Sequence, residues 1–469
     1  MKSNVQLPTW LTDPVEHVAE RTVVADDDRV AALVEEFGAR GVRTVRGSYM
    51  DSSGVLRAKQ APLARLGAFN RSGLGASNSW AVFAADDLLC MTPSFSAVGD
   101  MRLRADLDAL VDLGDGVAWV PLDLVDQDGE PMPFCPRQAL RRQVVRAREE
   151  GVSILGATEV EWTMLDADGA TLGGQAYGLS RLTQYEGFVA ELSASLEAAG
   201  VPLEQLHAEY GPGQFELSVA PRNPLAAADL NTLVKVLISR SARRAGYRAS
   251  FSPKPFFDAI GNGAHLHLSF QRDGRALLSG GAGPHGLTDE GAAILAAYVA
   301  HLPEAAGALA SSVLSAVRLQ PSTWSGAFAC WGLENREAAV RFCAATSGNP
   351  HGANVEVKCV DPSANIYAAY AALVGVALAG LAAPTALPAE VTVDPALLSE
   401  EERATLGIVL VGADQVEVVD RFEGSALMAE VLGPALVEAM VAVRRHEADL
   451  VAAHGLEEIA RRFTFAWSA

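Results

Sequence analysis

The sequence predicts an α+β fold: a small strand-rich domain, then a larger one in which helices back a curved antiparallel sheet. Three observations predict it. At 469 residues the chain is too long for one small core. Up to about residue 135, short runs alternate polar and apolar residues between turn signals, as half-buried strands do. Beyond that point strands and amphipathic helices follow mostly in strand–strand–helix order, which suits an antiparallel sheet better than strict βαβ alternation. The predicted division is an irregular lead-in over residues 1–28, a strand-rich domain over 29–135 and a larger domain over 136–469. No internal repeat is visible.

The elements follow in order. VAALVEEFGARG (30–41) is amphipathic and ends on a glycine, the signature of a short helix with a glycine C-cap. VRTVRGSYMDSSGVLRAKQAPL (42–63) alternates on both sides of D-S-S-G and predicts a hairpin. Strands are expected in 103–113 and 117–132. PFCPRQALRRQVVRAREEG (133–151) predicts a helix with Pro136 in its first turn. Further amphipathic helices are expected over 183–200, 226–246 and 289–310. Residues 274–291 are Gly-rich and predict a surface loop, and 382–395 a Pro- and Ala-rich connector. Residues 362–389 carry no charge and are long enough to span a bilayer, but Ala and Gly dominate them, so a buried, tightly packed helix is expected.

Composition narrows the function classes. The formal charge of -20 argues against nucleic acid or an anionic membrane surface as partner. Five cysteines (Cys90, Cys135, Cys330, Cys343 and Cys359) lack CxxC spacing, which suits buried thiols in a reducing compartment rather than a disulfide framework or zinc knuckle. The N-terminus shows no apolar signal-like run, and a cytoplasmic location is expected.

Acidic and histidine side chains come in strand-spaced pairs. Glu159 and Glu161 lie in ATEVEW, Glu209 and Glu216 flank a Pro-Gly turn in HAEYGPGQFE, His265 and His267 lie in GNGAHLHLS, and Glu356 and Lys358 in VEVKC. Residues at i and i+2 of a strand share a face. A cavity lined by such pairs cannot keep every carboxylate ionised without cations. Oxygen-rich donors with one imidazole select Mg²⁺ or Mn²⁺, and two such ions suit phosphoryl transfer. Arg318, Arg336, Arg341 and Lys358 supply cations that suit phosphate or carboxylate. Together they suggest ATP activating an acid. His207, His301 and His446 are expected to be ordinary polar residues.

These motifs resemble the glutamine synthetase family, in its type I and FluG-like branch. The ordered set PFCPR, EVEW, EYGPGQFE, SFSPKPF, GNGAHLHLS, ENREAAVR and VEVKCVDPSANIYAAYAAL spans nearly the whole chain. The resemblance implies a β-grasp N-terminal domain, a barrel-like catalytic domain and a ring-shaped homo-oligomer, a dodecamer in type, with sites between subunits. It implies that Glu161, Glu209 and Glu216 hold the metal that meets the acid, and that Glu159, His265 and Glu356 hold the metal on the ATP phosphates. His267, Arg336 and Arg341 would surround those phosphates, and Ser269 would lie near adenine. Arg318 would bind the α-carboxylate of L-glutamate, Gly261 its amine, and Lys358 would stand near the γ-carboxylate and the transferred phosphoryl group.

The chain also departs from the family pattern. Ammonia-using relatives carry a flap glutamate where this chain has Trp324, and an aspartate from the neighbouring subunit falls at Gly73, with Asp87 a candidate for another acid of that site. Losing two anions weakens ammonium capture, and an indole adds apolar surface. Asn354 and Lys358 each stand where relatives have arginine, the Lys being typical of FluG-like members. No tyrosine lies in 386–403, so the adenylylation site of some type I enzymes is absent. The expected reaction is γ-glutamylation of an organic amine (a polyamine, ethanolamine or another alkyl- or arylamine). The alternatives are an ammonia-using glutamine synthetase and a non-catalytic assembly. The base for the amine is not identified; Glu161 and Asp87 are candidates.

Overall fold

A computed structural model of the protein describes residues 18–412 and 414–469; residues 1–17 of the expected lead-in lie outside the described residues. The first helix among the described residues, Asp27–Ala39, starts where Asp26 accepts a hydrogen bond from the Arg29 amide, with Asp27 and Asp28 against its positive end. Gly41 closes it at φ +86°, and the Val42 amide donates back to the Phe37 carbonyl.

The hairpin forms from β1 (Thr44–Met50) and β2 (Leu56–Pro62), in register from Thr44 opposite Pro62 to Met50 opposite Leu56. With β3 (Leu74–Ser77), β4 (Asp100–Ala105), β5 (Val111–Asp112) and β6 (Val117–Val125) it builds a mixed sheet ordered β2-β1-β6-β4-β3, with β5 on β6. β1 and β6 run parallel at its centre. The hairpin tip is buried against the larger domain. Gly54 sits at φ +79°, and a Cβ there would lie 1.9 Å from the Ser363 carbonyl oxygen. Asn365 Nδ2 donates to the carbonyls of Met50 and Asp51 at 3.1 and 3.0 Å, and the Trp467 indole to that of Ser53 at 2.7 Å. Arg137, at the start of helix Pro136–Glu149, adds a buried ion cluster on the same seam, reaching Asp106 at 2.9 Å, Asp123 at 3.0 Å and Asp229 at 2.7 Å. Removing one partner of such a cluster typically costs about 3–5 kcal/mol.

The second sheet comprises β7 (Val152–Leu165), β8 (Leu203–Ala208), β9 (Gln214–Val219), β10 (Arg248–Ser250), β11 (Ala264–Arg272), β12 (Arg275–Ala276), β13 (Phe328–Leu333), β14 (Ala338–Cys343), β15 (Asn354–Val357) and β16 (Val409–Leu410). Their order, β16-β13-β14-β15-β11-β7-β9-β8 with β10 on β7 and β12 on β11, curls into a nearly closed barrel. Among the described residues every ladder of this sheet is antiparallel except β13 with β14, because the chain doubles back through residues 334–337 before β14 begins. That return carries Arg336.

Helices Pro136–Glu149, Pro224–Arg244, Asp289–Leu309 and Ile366–Ala382 pack against the sheet and one another. The charge-free stretch is the core helix Ile366–Ala382, buried along almost its whole length. Its small residues allow close approach: a Cβ on Gly375 would lie 2.3 Å from Val431 Cγ2, and one on Gly380 2.5 Å from the Ala297 Cβ. Asn365 caps it by accepting from the Ala368 amide at 3.1 Å, so one side chain ties this helix to the hairpin tip. The Gly-rich loop over 274–291 is less superficial than its composition predicts, since Leu277, Leu278 and Leu287 are buried.

Candidate active site

Strand register assembles the candidate ligands into one band. Glu161 on β7 lies opposite Glu216 on β9, which lies opposite His207 on β8. Glu159 on β7 lies opposite His265 on β11, and His267 opposite Glu356 on β15, which faces Arg341 on β14. Directly opposed residues, and residues two apart on one strand, share a face. That face opens on a cavity of about 970 Å³, lined by Glu159, Glu161, Glu209, Glu216 and His265 together with Gly261, Arg318, Trp324, Arg336, Arg341 and Lys358. His267 and Glu356 sit just behind the lining and touch it. Ser269 lies one further pair along β11, opposite Leu155, outside the cavity lining.

Three sets of donor atoms converge within 4.8 Å: Glu159, His265 and Glu356; Glu161, Glu216 and His265; His207, Glu209 and Glu216. His265 Nδ1 lies 3.3 Å from both Glu159 and Glu356, and its Nε2 3.8 Å from Glu161. The first set coincides with the nucleotide-side ligands expected from the motifs. The acid-side trio is spread over the other two sets, joined through Glu216. Glu161 is held from behind, its Oε2 accepting from Gln214 Nε2 and the Gly263 amide, both at 2.8 Å.

The electrostatics of the band test whether these donors suit divalent cations. Burial raises the Glu216 carboxyl, and the neighbouring Glu161, Glu159 and Glu209 push it up to about 10. Burial opposes ionisation of Glu159 and Glu356 as well, yet His265 and His267, joined by Lys358 for Glu356, hold both carboxyls well below the usual range. Burial lowers His267, but Glu159 and Glu356 outweigh it and raise the imidazole. Clustered buried carboxylates sharing one imidazole form a hard donor set, and a bound divalent cation would let Glu216 ionise. The residues fit such a metal.

The cations come from different elements. Ser312 and Ser315 form a capping box on helix Val313–Arg318, fixing Arg318 at its last turn. Arg318 is buried, its Nη2 3.4 Å from His265 Nε2 and from the Lys358 carbonyl, while its Nη1 is buried without a partner among the described residues. An orphaned guanidinium nitrogen beside the cavity suits an incoming carboxylate. Only glycine fits at 261, where a Cβ would lie 2.2 Å from the Pro253 carbonyl oxygen and 3.0 Å from Arg318 Cγ. Lys358 Nζ donates to Glu356 at 3.0 Å and Arg341 Nη1 to the other oxygen at 2.8 Å, so both stand beside the cluster of Glu159, His265 and Glu356. Arg341 also pairs with Glu334. His267 Nδ1 meets Asn354 Oδ1 at 2.8 Å, so the asparagine found in place of an arginine is used to orient a histidine.

His207 is the residue that sequence reasoning missed. Its Nε2 lies 3.5 Å from Glu209 and 3.8 Å from Glu216. The signal was its i, i+2 spacing to Glu209, the same rule that marked the other pairs. Tyr177, Tyr210 and Asp258 also line the cavity without having been singled out. Trp324 lines it, half exposed, whereas Gly73 and Asp87 are not among the lining residues of their own chain, Asp87 pairing with Arg57 at 2.5 Å.

Comparison with known proteins agrees with this geometry. The model of the family described as glutamine synthetase, catalytic domain, matches residues 133–459. The chain is 40% identical over 451 residues to the gamma-glutamylpolyamine synthetase GlnA3 of Streptomyces coelicolor, covering 94% of this chain and 96% of that protein. It is 28% identical over 409 residues to a glutamine synthetase of Pyrococcus horikoshii, covering 85% and 88%. Among solved structures, a novel glutamine synthase homolog superimposes with a TM-score of 0.81 at 30% identity, over 90% of this chain and 98% of that one. A GmaS/ADP complex gives 0.78 at 26%, over 92% and 99%.

Proposed function

Since the chain belongs to the glutamine synthetase family, we propose that it joins the γ-carboxylate of L-glutamate to an organic amine, a polyamine first among them. It is an ATP-dependent ligase, and family membership entails ATP and a divalent metal. The observation that carries the amine reading is Trp324, an indole on the cavity wall where an ammonia-using relative has a flap acid. The named activity of the Streptomyces relative supports it. Mg²⁺ or Mn²⁺, two or more per site, is supported by the overlapping carboxylate and histidine clusters. A ring-shaped oligomer is supported by the absence of Gly73 and Asp87 from the lining of their own cavity, since a neighbour's loop would then complete the site. A cytoplasmic location remains part of the proposal, supported by cysteines that are all free.

In this reading Arg318 and the backbone around Gly261 bind the amino-acid end of glutamate, leaving its γ-carboxylate toward Lys358. A γ-carboxylate oxygen attacks the terminal phosphorus of ATP, the bond to the bridging oxygen breaks, and ADP leaves with an acyl phosphate behind. Arg336, Arg341 and Lys358 stabilise negative charge on the transferred group. Bound divalent cations supply further neutralisation of the phosphates. The amine nitrogen then attacks the acyl carbon, phosphate leaves with the shared oxygen, and the nitrogen loses a proton.

Phosphate release with glutamate, ATP and Mg²⁺ against a panel of amines tests the proposal. Release with putrescine or a longer polyamine, at a kcat/KM at least tenfold above that for ammonia, is expected. Turnover with ammonia alone would identify an ordinary glutamine synthetase, and silence with every amine a non-catalytic relative.

A further inference from the structure

The segment that carries Trp324 is held in an unusual conformation. Ser322 and Trp324 have φ of 59° and 57°, the left-handed region that non-glycine residues seldom enter unless their surroundings hold them there. Three contacts do so. The Ser322 hydroxyl donates to Asp394 Oδ2 at 2.8 Å. At the other end, a Cβ on Gly326 would lie 2.7 Å from the Lys358 Cβ, so the segment rests directly on that lysine. Between them, the Trp324 amide donates to Glu337 Oε1 at 2.8 Å.

Glu337 is the odd member of this set. It is 6% exposed, and its Oε2 is buried without a partner among the described residues. Burial raises its carboxyl and Asp394 raises it further, while the Trp324 amide, Lys358 and the Ser322 backbone pull it down. Burying a carboxylate to satisfy loop amides is costly where a neutral acceptor would serve. The residue itself is fixed. It follows Arg336 on the return between β13 and β14, and its amide donates to Asn335 Oδ1 at 3.0 Å. Asn335 Nδ2 in turn donates to the carbonyls of Val391 and Val393 at 2.8 and 3.0 Å. One short stretch thus presents Arg336 to the cavity and, one residue later, grips the loop that carries the indole.

We propose that Glu337 is a positioning residue that fixes Trp324 on the cavity wall and so sets the preference for organic amines over ammonia. The inference deepens the amine-ligase reading and rests on it. It also ties the flap to Arg336, so that phosphate-side and amine-side geometry share one anchor.

The test compares the full-length wild type with Glu337→Ala and Glu337→Gln in phosphate release with glutamate, ATP, Mg²⁺ and putrescine. The Ala variant should raise the KM for putrescine at least tenfold while the KM values for glutamate and ATP stay within twofold. The Gln variant keeps an acceptor oxygen for the Trp324 amide and should recover to within threefold of wild type. An unchanged putrescine KM, or a glutamate KM that rises in step, overturns the proposal. A second readout needs no amine: chymotryptic cleavage after Trp324, mapped by mass spectrometry, should be at least fivefold faster in the Ala variant and restored by Gln. If the wild type turns over no amine, the reaction reading fails and cleavage alone decides the anchor, an unchanged rate refuting it.

Discussion

Glu216 carries a steep energetic demand in the metal-free protein. Its carboxyl is 6% exposed and, beside Glu161, Glu159 and Glu209, is pushed up to about 10. A carboxyl raised in the folded state binds its proton more tightly there than in the unfolded chain. Metal-free stability is therefore full below about pH 4.5 and is lost progressively as pH rises toward 10. At pH 7 the loss covers about 2.5 pH units, an upper bound of roughly 3.4 kcal/mol at 1.36 kcal/mol per unit. Because the carboxylates titrate together, about 1–3 kcal/mol is the expected yield. Glu216→Gln keeps the shape and removes the titration, so it should stabilise the protein in EDTA by that amount at pH 7. At about 2.1 cal/mol/K per residue this is a Tm rise of roughly 1–3 °C. Mg²⁺ should do the opposite to the pair. At a hundredfold excess over Kd it stabilises the wild type by about 2.7 kcal/mol, and the Gln variant should lose most of that gain. The assay is thermal unfolding from pH 6 to 9, with EDTA and with Mg²⁺. A Gln variant that is less stable in EDTA, or that responds to Mg²⁺ as the wild type does, refutes the reasoning.

Three further outcomes follow from the same geometry. Trp324→Glu returns an acid to the flap of a half-exposed wall, and an ion pair there is worth about 1 kcal/mol, so kcat/KM for ammonia should rise roughly fivefold. Arg318→Lys replaces a fork by a point charge and should raise the KM for glutamate by about ten- to a hundredfold, with the KM for ATP little changed, in steady-state assays. Lys235 is buried, donates to the Pro362 carbonyl at 3.0 Å and has its ammonium lowered by burial to about 7, so the unfolded chain binds the extra proton between pH 7 and about 10. Wild-type stability attributable to this group should therefore rise across that window, and Lys235→Met should flatten the slope in pH-dependent unfolding.

Much of the site was legible because strand chemistry is periodic. Glu159 with Glu161 and His265 with His267 announce a shared face by spacing alone, and the folded register needs only to set β7 against β11 to join them. His207 escaped notice although it obeys the same i, i+2 rule with Glu209, because a single histidine is more often an ordinary polar residue. The grouping of Glu209 with His207 rather than Glu161 depends on β8 lying at the sheet's edge beyond β9, which no local pattern encodes. The Ala-rich helix Ile366–Ala382 was readable from composition, since only small side chains tolerate its approach to Val431 and Ala297. The parallel pairing of β13 with β14 was not, because strand runs of equal length do not state their direction. Glu337 was also silent in the sequence: its importance lies in a contact with a backbone amide thirteen residues away.

The shared oxygen of the acyl phosphate is the most direct mark of activation by phosphorylation. Glutamate labelled with ¹⁸O in both γ-carboxylate positions, supplied with ATP, Mg²⁺ and putrescine, should yield phosphate carrying one ¹⁸O atom and a γ-glutamyl amide retaining the other, both read by mass spectrometry. Unlabelled phosphate from a reaction that still forms the amide would contradict activation by phosphorylation, and labelled phosphate that appears only with ammonia would contradict the organic-amine acceptor.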